Sequence, residues 1–116
     1  MRGLSKYKII FHLHDEEKII TAISNIINLI KDLGIENLDI ELLMNGTGVK
    51  MMLEDGEYDK KVDYLSNKGI VLCVCSNSLE ALNLTEDDLI GETKMVPSGV
   101  GELVKKQNKG WDYIKI

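Results

Sequence analysis

The sequence has 116 residues, the length of one domain, and a net charge of −5 from 19 acidic and 14 basic residues. Nucleic-acid binding needs clustered positive charge, whereas the lysines here are scattered among acids, so we expect no direct contact with nucleic acid. No apolar run approaches the roughly 18 residues of a membrane span, and residues 1–6 lack the apolar core of a signal peptide, so the sequence predicts a cytoplasmic protein without membrane contact.

The first half of the chain alternates between strand and helix patterns. Residues 6–13 form an apolar, β-rich run that is typical of a strand buried on both faces. Apolar side chains then recur every three or four residues over 16–33, which predicts an amphipathic helix. Residues 38–44 predict a second strand, and 49–67 predict a second helical region that is interrupted near 55–56.

The second half continues the alternation. Residues 70–75 are the most continuously apolar run of the chain and predict a third strand, followed by a short helix over 76–82. A short strand at 94–96, a helix at 99–109 and a final strand at 111–116 complete the pattern. Alternating elements whose strands are apolar on both faces predict an α/β fold, a three-layer α/β/α sandwich with a mainly parallel five-stranded sheet, in one domain over 1–116.

The polar and reactive residues lie where the predicted strands end. In parallel sheets of this class, ligands bind just beyond the carboxyl ends of the strands. Those ends carry four polar segments: His12–His14, Asn45–Gly48, Cys73–Asn77 and Pro97–Gly99. We therefore expect the functional site at this edge of the sheet.

Cys75 is the strongest candidate for chemistry at that edge. It precedes a helix, whose unpaired N–H groups and dipole stabilise a thiolate and lower the pKa of the thiol. The alternative is a packing role, because cysteine behaves as a small apolar residue in buried strands. We expect packing for Cys73, in the middle of the strand, and keep both roles open for Cys75.

The histidines raise the alternative of a metal site. His12 and His14 point to one side of their strand, and Cys73 and Cys75 do the same on theirs. The four side chains would converge if the first and third strands were neighbours. Ligands two residues apart along a strand are about 6.6 Å apart, however, which is wide for a single zinc ion. We therefore predict no metal site and place His12 beside Cys75 in a tuning or packing role.

Other motifs at this edge are explained by turns and caps. The segment Gly46–Gly48 lacks the third glycine of a dinucleotide fingerprint and the Gly-Lys-Ser/Thr of a P-loop, so we predict no cofactor. Ser98 is placed to cap a helix and is not part of a GxSxG elbow. The acidic residues are typical of solvated faces and caps, and no carboxylate pair stands out for acid–base catalysis.

Taken in order, these segments resemble the DsrE/DsrF-like family of sulfur-relay proteins. The resemblance is carried by Ile9–Leu13, Ser24–Leu29, Asn45–Val49, Val71–Leu79, Ser98–Val104, Gln107 and Gly110–Ile114. It implies a three-layer α/β fold, a homotrimer or homohexamer, and a cysteine that carries sulfane sulfur as a persulfide. Matched to this sequence, that cysteine is Cys75, and His12 and the turn Asn45–Gly48 line the same cavity.

Two hypotheses follow for function. The first is a cytosolic sulfur carrier that exchanges sulfur with donor and acceptor proteins, with Cys75 and His12 as the catalytic residues. The second is a non-catalytic module that binds a small ligand or assembles into oligomers, to which a Trp111–Tyr113 face on an edge strand would contribute. In both, the expected ligand-binding residues are Asn45, Gly46, Gly48, Ser76, Asn77, Ser98 and Gly99.

Overall fold

The computed structural model describes residues 6–116 and contains five strands and four α-helices within that range. The strands are β1 (Tyr7–Leu13), β2 (Leu38–Met44), β3 (Val71–Cys75), β4 (Lys94–Val96) and β5 (Asp112–Lys115). The helices are α1 (Ile19–Leu33), α2 (Asp59–Asn67), α3 (Ser76–Ala81) and α4 (Gly99–Asn108). Short 3₁₀ segments cover Glu16–Lys18, Ile35–Asn37, Gly46–Met52 and Glu86–Asp88. No helix of the described part is long and apolar enough to cross a membrane.

All five strands join one sheet in the order β4-β3-β2-β1-β5, and every pairing is parallel. The connections from β1 through β4 step in one direction, whereas the last connection returns across the sheet to β5. Since such crossovers are right-handed, α1, α2 and α3 cover one face and α4 covers the other. The predicted α/β/α sandwich is confirmed, and its sheet is parallel throughout.

The two faces of the sheet bury cores of different size. The larger core joins β1, β2 and β3 to the three helices on one face, through residues such as Phe11, Ile26, Leu65 and Leu79. The smaller core lies under α4 and comprises Ile10, Leu43, Cys73, Val96 and Leu103, with Trp111 packed against it. Side chains alternate along each strand, so His12 and Glu41 also belong to the α4 face.

The region 49–67, predicted as an interrupted helix, is α-helical only over α2. Its beginning belongs to the 3₁₀ segment Gly46–Met52, in which Val49, Met51 and Met52 are all buried. Leu53 then forms a bridge with Leu89, which ends the segment. The predicted helical region with an interruption near 55–56 is therefore confirmed, and its first part is 3₁₀ rather than α-helix.

Candidate functional site at the carboxyl edge of the sheet

The carboxyl ends of β3 and β4 lie side by side, with Cys75 paired with Val96. The chain leaves β3 into α3 on one face and leaves β4 into α4 on the other face. Diverging connections between neighbouring parallel strands create the usual ligand position of α/β folds. Cys75 lies at the start of α3, and Gly99 lies at the start of α4. A Cβ built on Gly99 would lie 3.4 Å from the Cβ of Cys75, so the two loops are in contact.

Cys75 ends β3 and stands at the N-cap position of α3, with an exposed fraction of 5%. Burial alone would raise the pKa of its thiol. Hydrogen bonds from the Ser78 hydroxyl and from the backbone N–H groups of Gly99, Ser78 and Asn77 outweigh burial and lower the pKa below its ordinary value of 9.0. The donors come from the starts of both α3 and α4, and they favour the thiolate form of Cys75.

The turn after β2 supports this arrangement through Ser78. The backbone N–H of Gly46 donates to the Ser78 Oγ over 2.8 Å, which leaves the hydroxyl hydrogen free to point at Cys75. Gly46 has a φ of +52°, and a Cβ on it would lie 2.6 Å from the His14 ring. Only glycine fits this close turn without strain. Glycine at position 46 therefore lets the turn approach closely enough for its backbone N–H to donate to Ser78 beside Cys75.

A second chain of hydrogen bonds runs from β5 across β1 to the same turn. The Nδ1 of His12 is 2.7 Å from the Tyr113 hydroxyl, and its Nε2 is 2.9 Å from the Asn45 Oδ1. His14 Nδ1 is also 2.9 Å from that oxygen. An amide oxygen only accepts, so His12 carries its proton on Nε2 and accepts the Tyr113 O–H at Nδ1.

His12 is held in its neutral form. Burial is the largest effect and lowers its pKa below 6.5, and the positive charges of Lys115 and His14 add to this. The hydrogen bond with Asn45 opposes the shift without cancelling it. A neutral imidazole can orient the Asn45 amide, whose Nδ2 would lie 3.4 Å from a Cβ on Gly99. Asn45 thus connects His12 to the loop beside Cys75.

With this geometry in place, comparison with known proteins identifies the family. The model of the DsrE/DsrF-like family matches residues 6–116. The chain belongs to the DsrE/DsrF-like family. No curated protein matches the sequence.

Solved structures share the DsrE/DsrF-like fold over the whole chain. MTH1491 from Methanobacterium thermoautotrophicum, described as a protein of unknown function, is 38% identical with a TM-score of 0.89, and the match covers 96% of this chain and 100% of that one. The ychN protein from E. coli is 14% identical with a TM-score of 0.76, covering 97% and 99%. BT1422 from Bacteroides thetaiotaomicron, a conserved protein of unknown function, is 15% identical with a TM-score of 0.70, covering 100% and 98%. The latter two comparisons establish the fold.

The residues quoted for the DsrE/DsrF-like resemblance do not all meet at Cys75. Asn77 and Gly99 donate backbone N–H groups to the thiol, and Gly46 acts through Ser78. Gly48 is buried behind the turn, where its N–H donates to the carbonyls of His14 and Asn45.

The two predicted serines stand at helix starts. Ser98 caps α4 by accepting the Gly101 N–H over 3.1 Å, as predicted from its position. Ser76 opens α3 and is half-buried. Neither of these two hydroxyls is among the groups that shift the pKa of Cys75.

Two side chains of the arrangement were missed by sequence reasoning. Ser78 was not among the predicted site residues, although its place in the first turn of a helix after a cysteine is a usable signal. Tyr113 was assigned to a strand face together with Trp111. Its contact with His12 depends on β5 pairing with β1, which aligns Ile10 with Tyr113.

The predicted geometry of the metal alternative was wrong. β2 separates β1 from β3, so the strands that carry the two histidines and the two cysteines are not neighbours. Within residues 6–116, the one group of three metal-ligand side chains is instead Glu41, Cys73 and Glu102. The expectation that no carboxylate pair stands out was therefore also wrong.

This carboxylate pair lies in the smaller core. Burial, then the neighbouring Glu102, raises the pKa of Glu41 to about 7, although Lys106 opposes the shift. The pKa of Glu102 is lowered, chiefly because the Glu41 carboxyl beside it keeps the proton that the two groups share. Burial, then the charge of Glu41, raises the pKa of Cys73. Cys73 therefore stays a thiol near neutral pH, and its pKa is shifted in the direction opposite to that of Cys75.

Proposed function

We propose that this protein is a sulfur carrier that holds sulfane sulfur as a persulfide on Cys75. The observation that carries the proposal is the position of Cys75 at the N-cap of α3 and against Gly99 of α4, where the Ser78 hydroxyl and backbone N–H groups lower the pKa of the thiol. These donors favour the thiolate, which is the form that attacks sulfur. Membership in the DsrE/DsrF-like family supports the same chemistry.

The transfer needs no external oxidant or reductant. The Cys75 thiolate attacks the terminal sulfur of a donor persulfide, R–S–SH, and forms Cys75–S–SH. The S–S bond of the donor breaks, and the donor leaves as a thiolate that takes up a proton. An acceptor thiolate then attacks the terminal sulfur of Cys75–S–SH and restores the Cys75 thiolate. One sulfur atom moves, with no net change in oxidation state.

The surroundings of Cys75 suit a carrier more than a turnover enzyme. With 5% of the residue exposed, the bound persulfide would be reached only by a partner that fits closely against the starts of α3 and α4. His12 contacts Tyr113 and Asn45, so we assign it as a positioning residue that orients the Asn45 amide. The proposed partners are therefore sulfur donor and acceptor proteins that present a cysteine on an extended loop.

The test is the intact mass of the protein after exposure to a persulfide donor. We expect a gain of roughly 32 Da, one sulfur atom, that a reductant removes. Cys75→Ser should abolish the gain, and Cys73→Ala should keep it, because Cys73 is fully buried and its pKa is raised. No gain in the wild type, or a gain that survives Cys75→Ser, would contradict the proposal and favour a non-catalytic binding module.

We further propose that the protein assembles into a homotrimer or homohexamer in the cytoplasm. On the α4 side of the sheet, the outer surface of the helix exposes Val100 and Val104, at 66% and 53%. These valines are one turn apart and form a continuous apolar strip. A second copy of the chain is the proposed occupant of that strip.

A further inference from the structure

A second polar cluster lies beneath α4, two residues back from Cys75 along β3. Glu41 comes from β2, Cys73 from β3 and Glu102 from α4, and one ligand atom from each lies within 4.8 Å of the others. Glu41 is 1% exposed, Cys73 0% and Glu102 9%. Three elements that are distant in sequence thus bring three potential ligands to one buried point.

The two carboxyl groups of the cluster share one lysine as their ion-pair partner. Lys106 Nζ is 3.3 Å from Glu41 Oε1 and 4.0 Å from Glu102 Oε2. The Oε2 atoms of both glutamates are buried, and neither has a hydrogen-bond partner among the described residues. A buried carboxylate oxygen without a partner is unfavourable, so these oxygens need a shared proton or a second cation.

We propose that Glu41, Cys73 and Glu102 form a binding site for one divalent transition-metal ion of the zinc class. Carboxylate oxygens and thiolate sulfur are both zinc ligands, and the thiolate selects against magnesium and calcium. Tetrahedral bonds of about 2.0–2.3 Å place ligand atoms about 3.3–3.8 Å apart. The distances between the three ligand atoms therefore need to shorten by about 1 Å, which small changes of side-chain rotamer provide.

Charge and access are compatible with such an ion. On binding, the Cys73 thiol and any proton shared by the glutamates are released to solvent. Three negative ligands then face one divalent ion and the Lys106 ammonium, so the cluster is neutral. A groove of about 240 Å³ that is lined by Glu41, Lys94, Lys106 and Trp111 leads to the cluster. Lys106 can withdraw along it, since its Nζ already lies 4.5 Å from the Trp111 ring centroid.

The experiment is a titration of the full chain with Co²⁺, whose bond to a thiolate gives a charge-transfer band in the near ultraviolet. We expect one equivalent of Co²⁺ to produce the band and Zn²⁺ to abolish it. Cys73→Ser should remove the band while the fold, followed by circular dichroism, is kept. Glu102→Gln, at the least buried of the three positions, should weaken Co²⁺ binding by about tenfold or more.

Cys75→Ser is the matched control and should leave the band unchanged. The absence of a band in the wild type would overturn the proposal and leave a shared proton as the occupant of the cluster. Persistence of the band in Cys73→Ser, or its loss in Cys75→Ser, would also overturn it by placing the metal elsewhere. Persulfide loading of Cys75 is measured separately by intact mass. The metal-site proposal and the sulfur-carrier proposal can therefore fail independently of each other.

Discussion

At the scale of single residues, the Ser78 hydroxyl links the Gly46 turn to the Cys75 thiol. Because the hydroxyl accepts from Gly46 and donates to sulfur, Ser78→Ala removes a hydrogen bond to a charged group. Such bonds contribute about 1.5–3 kcal/mol. We expect the pKa of Cys75 to rise, so that less thiolate is present at neutral pH and iodoacetamide labelling slows. The slowing should be only roughly threefold to tenfold, because the remaining thiolate becomes more nucleophilic and offsets part of the loss. Labelling rates across a pH series measure both effects.

The control for this prediction is Ser76→Ala. Ser76 is in the same helix and half-buried, but its hydroxyl is not among the groups that lower the pKa of Cys75. It should label at the wild-type rate. Equal rates for Ser78→Ala and wild type would show that the backbone N–H groups alone set the reactivity of Cys75.

The role of a single residue was predictable from the sequence where that role depends on its neighbours along the chain. The position of Cys75 between a strand and a helix follows from neighbouring residues, and so does the cap at Ser98. The bond between His12 and Tyr113 joins residues 101 positions apart, so no local pattern carries it. The pairing of Glu41 with Glu102 is equally non-local, and charged side chains at those positions are normally read as solvated.

At the scale of elements, the start of α4 couples stability to the candidate site. Ser98 accepts the Gly101 N–H, and the next residue, Gly99, donates its own N–H to Cys75. Ser98→Ala should therefore lower the free energy of unfolding by about 1 kcal/mol and also slow the labelling of Cys75. Urea denaturation and labelling rates measure the two effects on the same samples.

Ser98→Asn is the control for the cap, because asparagine also accepts from the first turn of a helix. It should retain both the unfolding free energy and the labelling rate. If Ser98→Ala loses stability but keeps the wild-type labelling rate, the link between the cap and the thiol is refuted.

The helical segments were predicted, but the type of helix was not. The helix predicted over 16–33 differs from the structure only in a first turn of 3₁₀ type, because its apolar side chains lie on one stripe. The segment Gly46–Met52 buries Val49, Met51 and Met52 and folds as a 3₁₀ helix against the end of β1. There, contacts between segments decide the local structure, and propensity does not.

At the scale of the whole molecule, alternation of elements predicts the fold class but leaves strand order open. The order determines which side chains meet. With β2 between β1 and β3, the histidine and cysteine pairs belong to strands that are not adjacent, and Cys73 contributes to a cluster with Glu41 and Glu102. The same order puts α4 alone on its face of the sheet. The chemistry and the exposed surface of this protein are both consequences of that arrangement.

The exposed strip on α4 yields the prediction for assembly. Replacing Val100 by Lys and Val104 by Glu removes the apolar strip without changing the net charge, while Leu103, on the buried side of the helix, is untouched. A charged pair cannot be buried against a second copy without a desolvation penalty. Light scattering should therefore give the mass of three or six chains for the wild type and of one chain for the double variant.

Ile20→Lys, at an exposed position on α1, should retain the wild-type mass. A monomeric wild type would contradict the assembly, and an unchanged mass for the double variant would place the interface on another surface.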